Sequence, residues 1–253
     1  MNQRFKVYLN GIALESVTDV CVVDVQHDDP GLEYSVAGFA ARSGGAVTGL
    51  RKPQAGVTIT FELHEYSVAA RNAACQAIAA WARDGGVLEI NERPLQYLQC
   101  VCTKLPYIDS ALKWTSLLSV GFTAYGVPYW QGKVPQSVTL TGAEASGTLF
   151  VPGNARQARV DVEVTPSTTI TSLSVTVGST TIALSGISTS SVITISHHAD
   201  GYITIKAGAT SILDKRTAAS SDDLLGEAGA TNTVSVTASA SVTAVFSAKG
   251  AWH

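Results

Sequence analysis

ITFELHEYSVAARNAACQAIAAWARDGGVLEINERPLQYLQCVCTKL, Ile59 to Leu105, is the stretch whose reading decides the fold. Val57, Ile59, Phe61 and Leu63 alternate, so the segment Val57–Leu63 is expected to be a strand with one buried face. Ser67 follows as a helix N-cap, and an Ala-rich helix is predicted over about 67–83. Val68, Cys75, Ile78, Ala79 and Ala82 fall on one helical stripe, with Trp81 at its edge. Asp84-Gly85-Gly86 stops the helix, because glycine takes the left-handed conformation past a last turn. A strand Val87–Ile90, a turn Asn91–Pro94 and a strand Leu95–Leu105 complete a helix-plus-hairpin unit.

Working outward, two strand-like runs, Arg4–Leu9 and Val17–Val25, flank an Asn10-Gly11 turn signal. From His27 to Gly56 the pattern dissolves into Asp, Pro, Gly and Ser around Ser43-Gly44-Gly45. That length predicts a long loop or an extended hairpin, not a simple connection. On the other side, a strand Lys113–Tyr125 puts Trp114, Leu118, Val120 and Phe122 on one face, and Pro128-Tyr129-Trp130 ends the half.

After Lys133 charge thins out and Thr, Ser, Val and Gly dominate. Short alternating runs recur at Ser137–Thr141, Ala158–Val164, Ile170–Val177, Thr180–Leu184, Ser191–Ile195, Tyr202–Ile205, Thr233–Thr237 and Ser241–Ser247. Short strands separated by turn residues indicate a β-sandwich or jelly roll. The expected class is mainly β, with an N-terminal domain over 1–133, carrying the one helix, and a C-terminal sandwich over 134–253. The boundary lies near Gly132 to Gln136.

Composition narrows the function classes. Of 253 residues 45% are apolar and only 15% charged, the balance of an all-β particle component more than of a helical enzyme. A net charge of −3 argues against a dedicated nucleic-acid binder, which would show a basic stripe. No apolar run reaches the roughly 18 residues of a membrane span, so no membrane insertion is expected. Met1-Asn2-Gln3-Arg4-Phe5-Lys6 lacks a secretion signal's apolar core, which points to folding in a reducing cytoplasm. Cys21, Cys75, Cys100 and Cys102 are too few and scattered for a disulfide framework.

The chemistry-bearing clusters are weak. His197-His198 with Asp200 is the sharpest metal-like signal. Neighbours on a strand point to opposite faces, so a solvated turn pair is expected instead. His64-Glu65 reads as a loop pair before a helix cap. Cys100 and Cys102 share a strand face without a Cys-x-x-Cys turn, and a buried structural role is expected. Asp222-Asp223 lacks the alternating oxygen ligands of a calcium loop, and Asp28-Asp29 before Pro30-Gly31 reads as a turn. Tyr129 and Trp130 are expected to pin the linker. Trp252, Tyr202, Phe150 and Phe246 are expected in core packing rather than as sugar platforms. No catalytic, cofactor-binding or metal residue is assigned, and no enzyme activity or cofactor is expected.

Three segments, in order, carry a family resemblance. Ile59–Leu105, Leu117–Trp130 (LLSVGFTAYGVPYW) and Gly201–Val236 with the closing Ser247–Trp252 (SAKGAW) together resemble the distal tail proteins of long-tailed bacteriophages. The resemblance implies an N-terminal β-sandwich or split barrel with one helix and a β-hairpin, and a galectin-like jelly roll after it. It implies a tail-tip or baseplate hub in the virion tail, assembled in the host bacterial cytoplasm. Such a hub forms a homo-oligomeric ring, hexameric in that family. Its implied partners are the tail-tube protein on one side and tail-tip or baseplate components on the other, and DNA passes its channel without specific binding. His27–Gly56 is then the expected segment of contact with neighbouring subunits. The outer domain carries no long insertion for an extra carbohydrate-binding arm. Rival readings are a saccharide-binding receptor-binding module or adhesin, and a tail-tube subunit with a decorating domain.

Overall fold

The computed structural model describes residues 5–28, 33–38, 45–51, 54–64, 67–107, 117–198 and 200–253. The chain divides into two compact units, Met1–Trp130 and Gln131–His253. Both are built from antiparallel strands, and one α-helix stands among the described residues.

The N-terminal unit contains β1 (Val7–Leu9), β2 (Ile12–Ala13), β3 (Val20–Asp28), β4 (Glu33–Gly38), β5 (Gly45–Arg51), β6 (Gly56–Leu63), α1 (Val68–Ala82), β7 (Gly86–Ile90), β8 (Gln96–Lys104) and β9 (Leu117–Ala124). A short strand β10 (Trp130–Gly132) follows. The main sheet runs β2-β1-β7-β8-β9-β6-β3, and β4 pairs only with β5. The expected face of β6 is confirmed: Val57, Ile59, Phe61 and Leu63 are all buried, as are Val120, Phe122 and Ala124 on β9 beside it. Residues 113–116 of the predicted strand, Trp114 included, lie outside the described residues.

The helix begins where the sequence says. Ser67 Oγ accepts a hydrogen bond from the Ala70 N–H at 3.1 Å, satisfying one of the orphan donors of the first turn. Ala74, Cys75, Ile78 and Ala82 form its buried face, while Val68 is exposed. Val68 is the first helical residue, so its place on the stripe does not bring it over the sheet. Trp81 orients the helix: its ring meets Phe122 edge-on at 6.1 Å, and its Nε1–H donates to the Ile12 carbonyl at 3.2 Å.

The Asn10-Gly11 turn is a hairpin turn, with φ of 52° and 78°, joining β1 to β2. Asn10 also does long-range work. Its Oδ1 accepts from the Val87 N–H at 2.9 Å, and its Nδ2 donates to the Gly85 carbonyl at 3.0 Å. That pair holds the helix stop against the first hairpin. Gly86, at φ 130°, leaves room for it: a Cβ there would sit 2.1 Å from Asn10 Oδ1.

The C-terminal unit contains β11 (Gln136–Val151), β12 (Gln157–Pro166), β13 (Ile170–Val177), β14 (Thr180–Thr189), β15 (Ile193–His197), β16 (Ile203–Ala207), β17 (Thr210–Ser211), β18 (Leu225–Glu227), β19 (Ala230–Ala248) and β20 (Ala251–Trp252). Thr233–Thr237 and Ser241–Ser247, expected as separate strands, are two halves of β19, and Ser137–Thr141 is the start of the long β11. The two long strands pair along their lengths, except that the register jumps between Gly142↔Val242 and Glu144↔Thr237. Before the jump β19 pairs with β13, and after it with β12. One continuous pair therefore serves both layers of the sandwich. The core comes from alternate residues of these strands, among them Val175, Val177, Val234 and Val236 on one side of the jump and Val160, Val162, Ala244 and Phe246 on the other. No helix among the described residues is long and apolar enough to cross a membrane.

The glycine at 86 gives a direct test. Gly86→Ala forces a positive φ on alanine and drives its Cβ into the Asn10 amide, and is expected to cost about 2–3 kcal/mol. Asn10→Ala, which leaves the Val87 N–H without its acceptor, should cost about 1–2 kcal/mol. Because the two act on one contact, urea denaturation of the double variant should show less than their sum.

Candidate functional site

The clearest polar cluster of the C-terminal unit surrounds His197, the last residue of β15. Its backbone N–H and its ring Nδ1 both lie on one oxygen of Asp161, at 3.0 and 2.9 Å. A carboxylate oxygen only accepts, so Nδ1 donates in this contact. On the other side Nε2 stands 3.4 Å from Asp223 Oδ1. The imidazole is 4% exposed, and the two carboxylates are half-exposed. The expectation of a solvated turn pair is thus corrected for His197, which is a buried tether between β12 and the segment before β18. Its carboxylates come from residues 161 and 223, too far along the chain for a local pattern to reveal.

His198 does point outward. Its ring stacks on Tyr202 at 4.6 Å with 14° between planes, and its Nδ1 lies 3.0 Å from Asp200 Oδ2. Arg159 Nη2 donates to the Gly201 carbonyl at 3.0 Å under the same hairpin. His197 holds its two carboxylates on different ring nitrogens, so they cannot join it around one ion. Among the described residues no group of three or more His, Cys, Asp or Glu is placed to hold a metal.

The remaining sequence clusters resolve one by one. His64 faces Asp19 at 3.0 Å, and Glu65 lies outside the described residues. Asp28 is the last residue of β3, opposite Gly56, and not part of a turn; Asp29 to Gly31 lie outside the described residues. Cys100 is fully buried, its thiol pushed up to about 12 by desolvation, while Cys75 and Cys102 are raised for the same reason. Thiols held protonated are poor nucleophiles. Phe246 is core, but Phe150 and Tyr202 are more than half exposed. Phe150 sits between the buried Leu149 and Val151, so strand alternation turns it outward. Trp252 is half-buried, its ring laid within about 3 Å of where Gly132 and Gly250 would carry a Cβ.

Trp130 anchors a second cluster. It is buried, with the Arg93 guanidinium 5.1 Å over its ring and the His27 ring edge-on at 5.6 Å. Burial and the Arg93 charge lower the His27 pKa below its ordinary 6.5, against a partial offset from Glu92. Arg93 is itself lowered by burial. A composition-level reading missed this contact, because residues 27, 93 and 130 meet only through the sheet.

Surface rather than chemistry distinguishes the N-terminal unit. The β4–β5 ribbon, Glu33–Gly38 against Gly45–Arg51, resolves the choice between loop and hairpin in favour of a hairpin. It pairs with no third strand among the described residues. A two-stranded ribbon by itself is marginal in water.

Two outcomes follow. His197→Ala strips a buried side chain and its hydrogen bond from Asp161 and should cost about 2–4 kcal/mol, whereas His198→Ala should change stability by less than about 1 kcal/mol in chemical denaturation. For His27 the folded state favours the neutral ring, so stability is full above pH 6.5 and falls as acid protonates it below that. Denaturation midpoints from pH 7.5 to 5 should drop, and His27→Gln should flatten that part of the drop.

Comparison with known proteins gives a fold and little sequence. No family model matches the chain, and no curated protein matches it. Among solved structures, the crystal structure of the SPP1 Dit protein (gp 19.1), described as a paradigm of the hub adsorption apparatus in Gram-positive infecting phages, matches with a TM-score of 0.71 at 13% identity. The match covers 96% of this chain and 98% of that one. The phage p2 baseplate in its activated conformation, with strontium and with calcium, aligns at 10% identity with TM-scores of 0.39 and 0.40, over 96% of this chain and 97% of those. The chain has the fold of the SPP1 hub protein from one end to the other.

Proposed function

We propose that this chain is a distal tail protein: a structural hub of a phage tail tip or baseplate that assembles into a homo-oligomeric, hexameric ring. The observation that carries the reading is the full-length fold match, with a TM-score of 0.71 over 96% of the chain. Sequence order supports it independently, through the strand, helix, glycine stop and hairpin of Ile59–Leu105. In this reading residues 1–133 build the ring, and 134–253 form a galectin-like domain outside it. The ring joins the tail tube to host-recognition components and leaves a channel for DNA in the virion tail. The chain performs no catalysis and carries no cofactor or metal in that role.

Ring closure needs a heterologous contact, one surface of a subunit on a different surface of the next. The β4–β5 ribbon is the best candidate for one side of it. A ribbon that pairs with no third strand among the described residues gains most by pairing with, or lying on, another chain. The low charge of the chain suits a channel through which DNA passes without being held, since phosphate contacts otherwise dominate affinity.

Electron microscopy and mass photometry of the purified chain test the proposal. Six-fold rings, alone or on adding the tail-tube protein, are expected. A persistent monomer under both conditions overturns the hub reading, and long filaments of this chain alone favour a tube subunit. Replacing residues 33–51 by a short Gly-Ser turn should abolish rings while leaving the thermal transition of the rest of the chain in place.

A further inference from the structure

Residues 216–224 form a strap between the two layers of the C-terminal unit. At one end the strap covers β14, the last strand of its sheet, whose bare edge would be a template for pairing with another chain. All four backbone groups of Thr181 and Ala183 are taken there. The Ser221 N–H donates to the Thr181 carbonyl at 2.7 Å, and Ser221 Oγ accepts from the Thr181 N–H at 3.0 Å. The Thr217 N–H donates to the Ala183 carbonyl at 2.9 Å, and Ser220 Oγ accepts from the Ala183 N–H at 2.9 Å. At the other end the Val160 N–H of β12 donates to the Leu224 carbonyl at 3.0 Å, and Asp223 meets His197.

The backbone and hydroxyl contacts on β14 do not titrate, but the contact at His197 does. Nδ1 donates to Asp161, whereas Nε2 is buried, 3.4 Å from Asp223 Oδ1, and has no hydrogen-bond partner. With one proton, on Nδ1, the ring turns a lone pair toward the Asp223 anion; with two, Nε2 becomes a donor to it. We propose that His197 is an acid-set latch: on taking a second proton from solvent it binds Asp161 and Asp223 together and pins the strap over the β14 edge. Burial of the ring opposes the second charge, and the two flanking carboxylates favour it. The other charged groups nearby have contacts of their own. His198 lies 3.0 Å from Asp200, Arg159 Nη2 donates to the Gly201 carbonyl, and Asp222 stands 4.0 Å from Arg216. From β16 it is the apolar Ile203 that pairs with His197. Toward alkaline pH the strap loses its hold at Asp223, and the edge of Thr181 and Ala183 is uncovered more often.

Hydrogen–deuterium exchange mass spectrometry on the full chain tests the latch, at about pH 8 and about pH 5.5, the interval in which an imidazole changes charge. Rates are corrected for intrinsic exchange, and β13 peptides serve as the reference for opening of the whole unit. Peptides over 179–185 and 216–224 should gain about tenfold in protection at the lower pH relative to β13. Asp223→Asn, which keeps the shape and removes the charge, should abolish that gain, while His198→Ala should retain it. Equal relative protection of the parent chain at both pH values overturns the proposal, whatever the variants do. So does an undiminished acid gain in Asp223→Asn, or its loss in His198→Ala with the thermal transition of the parent. The readout lies within one chain, so a failed latch leaves the hub reading standing.

Discussion

One strand pair organises the C-terminal unit. β11 and β19 run antiparallel from Gln136↔Ala248 to Val151↔Ala230, with a single jump in register at Gly142 and Glu144. At that jump β19 passes Ala238 to Ser241 against almost nothing on β11, and the ribbon changes layer. The rest of its sheet builds outward from it: β13 and then β14 before the corner, β12 and then β15, β16 and β17 after it, with β18 on β12. Gly142, at φ 144°, takes a conformation side chains resist, which suits the bend. Two layers built from one pair cannot slide independently, because a slip of one residue would turn both inner faces outward.

This corner explains what was legible in the chain and what was not. The helix was readable because its signals are local. Ser67 caps three residues on, and Gly85 with φ 64° ends it two residues past Arg83. The β6 face was readable because alternation is local too. By contrast, Thr233–Thr237 and Ser241–Ser247 look like two strands because the intervening Ala238-Ser239-Ala240 has the small, polar composition of a turn. The ladder on either side, Thr237 on Glu144 and Val242 on Gly142, about a hundred positions earlier, carries the strand through. His197 fails in the same way. Its neighbours in sequence are His198 and Asp200, but its partners are Asp161 and Asp223, brought in by the β12–β15 ladder and by the loop before β18.

The polar clusters sort by what their groups touch. His197 lies between two carboxylates, and its role is to hold the segment at 223 against β12. Arg93, His27 and Trp130 pack by stacking and edge contact, at a cost in desolvation that shows in the lowered pKa of both ionisable members. Neither arrangement leaves a reactive group facing an open concavity. Both are what a sheet uses to fix its own segments.

The β18–β19 turn, beside Arg156 and Glu227, differs in kind. There the buried amide of Asn232 is spent on the turn backbone, and the Arg156 and Glu227 side chains have no hydrogen-bond or ion-pair partner among the described residues. Solvated surface side chains are common, and by themselves mean little. What distinguishes this turn is its floor, held by three hydrogen bonds between the Asn232 amide and the backbone of Glu227 and Ala230. Rigidity in the C-terminal unit thus comes from the long central pair and, at this turn, from the amide of Asn232.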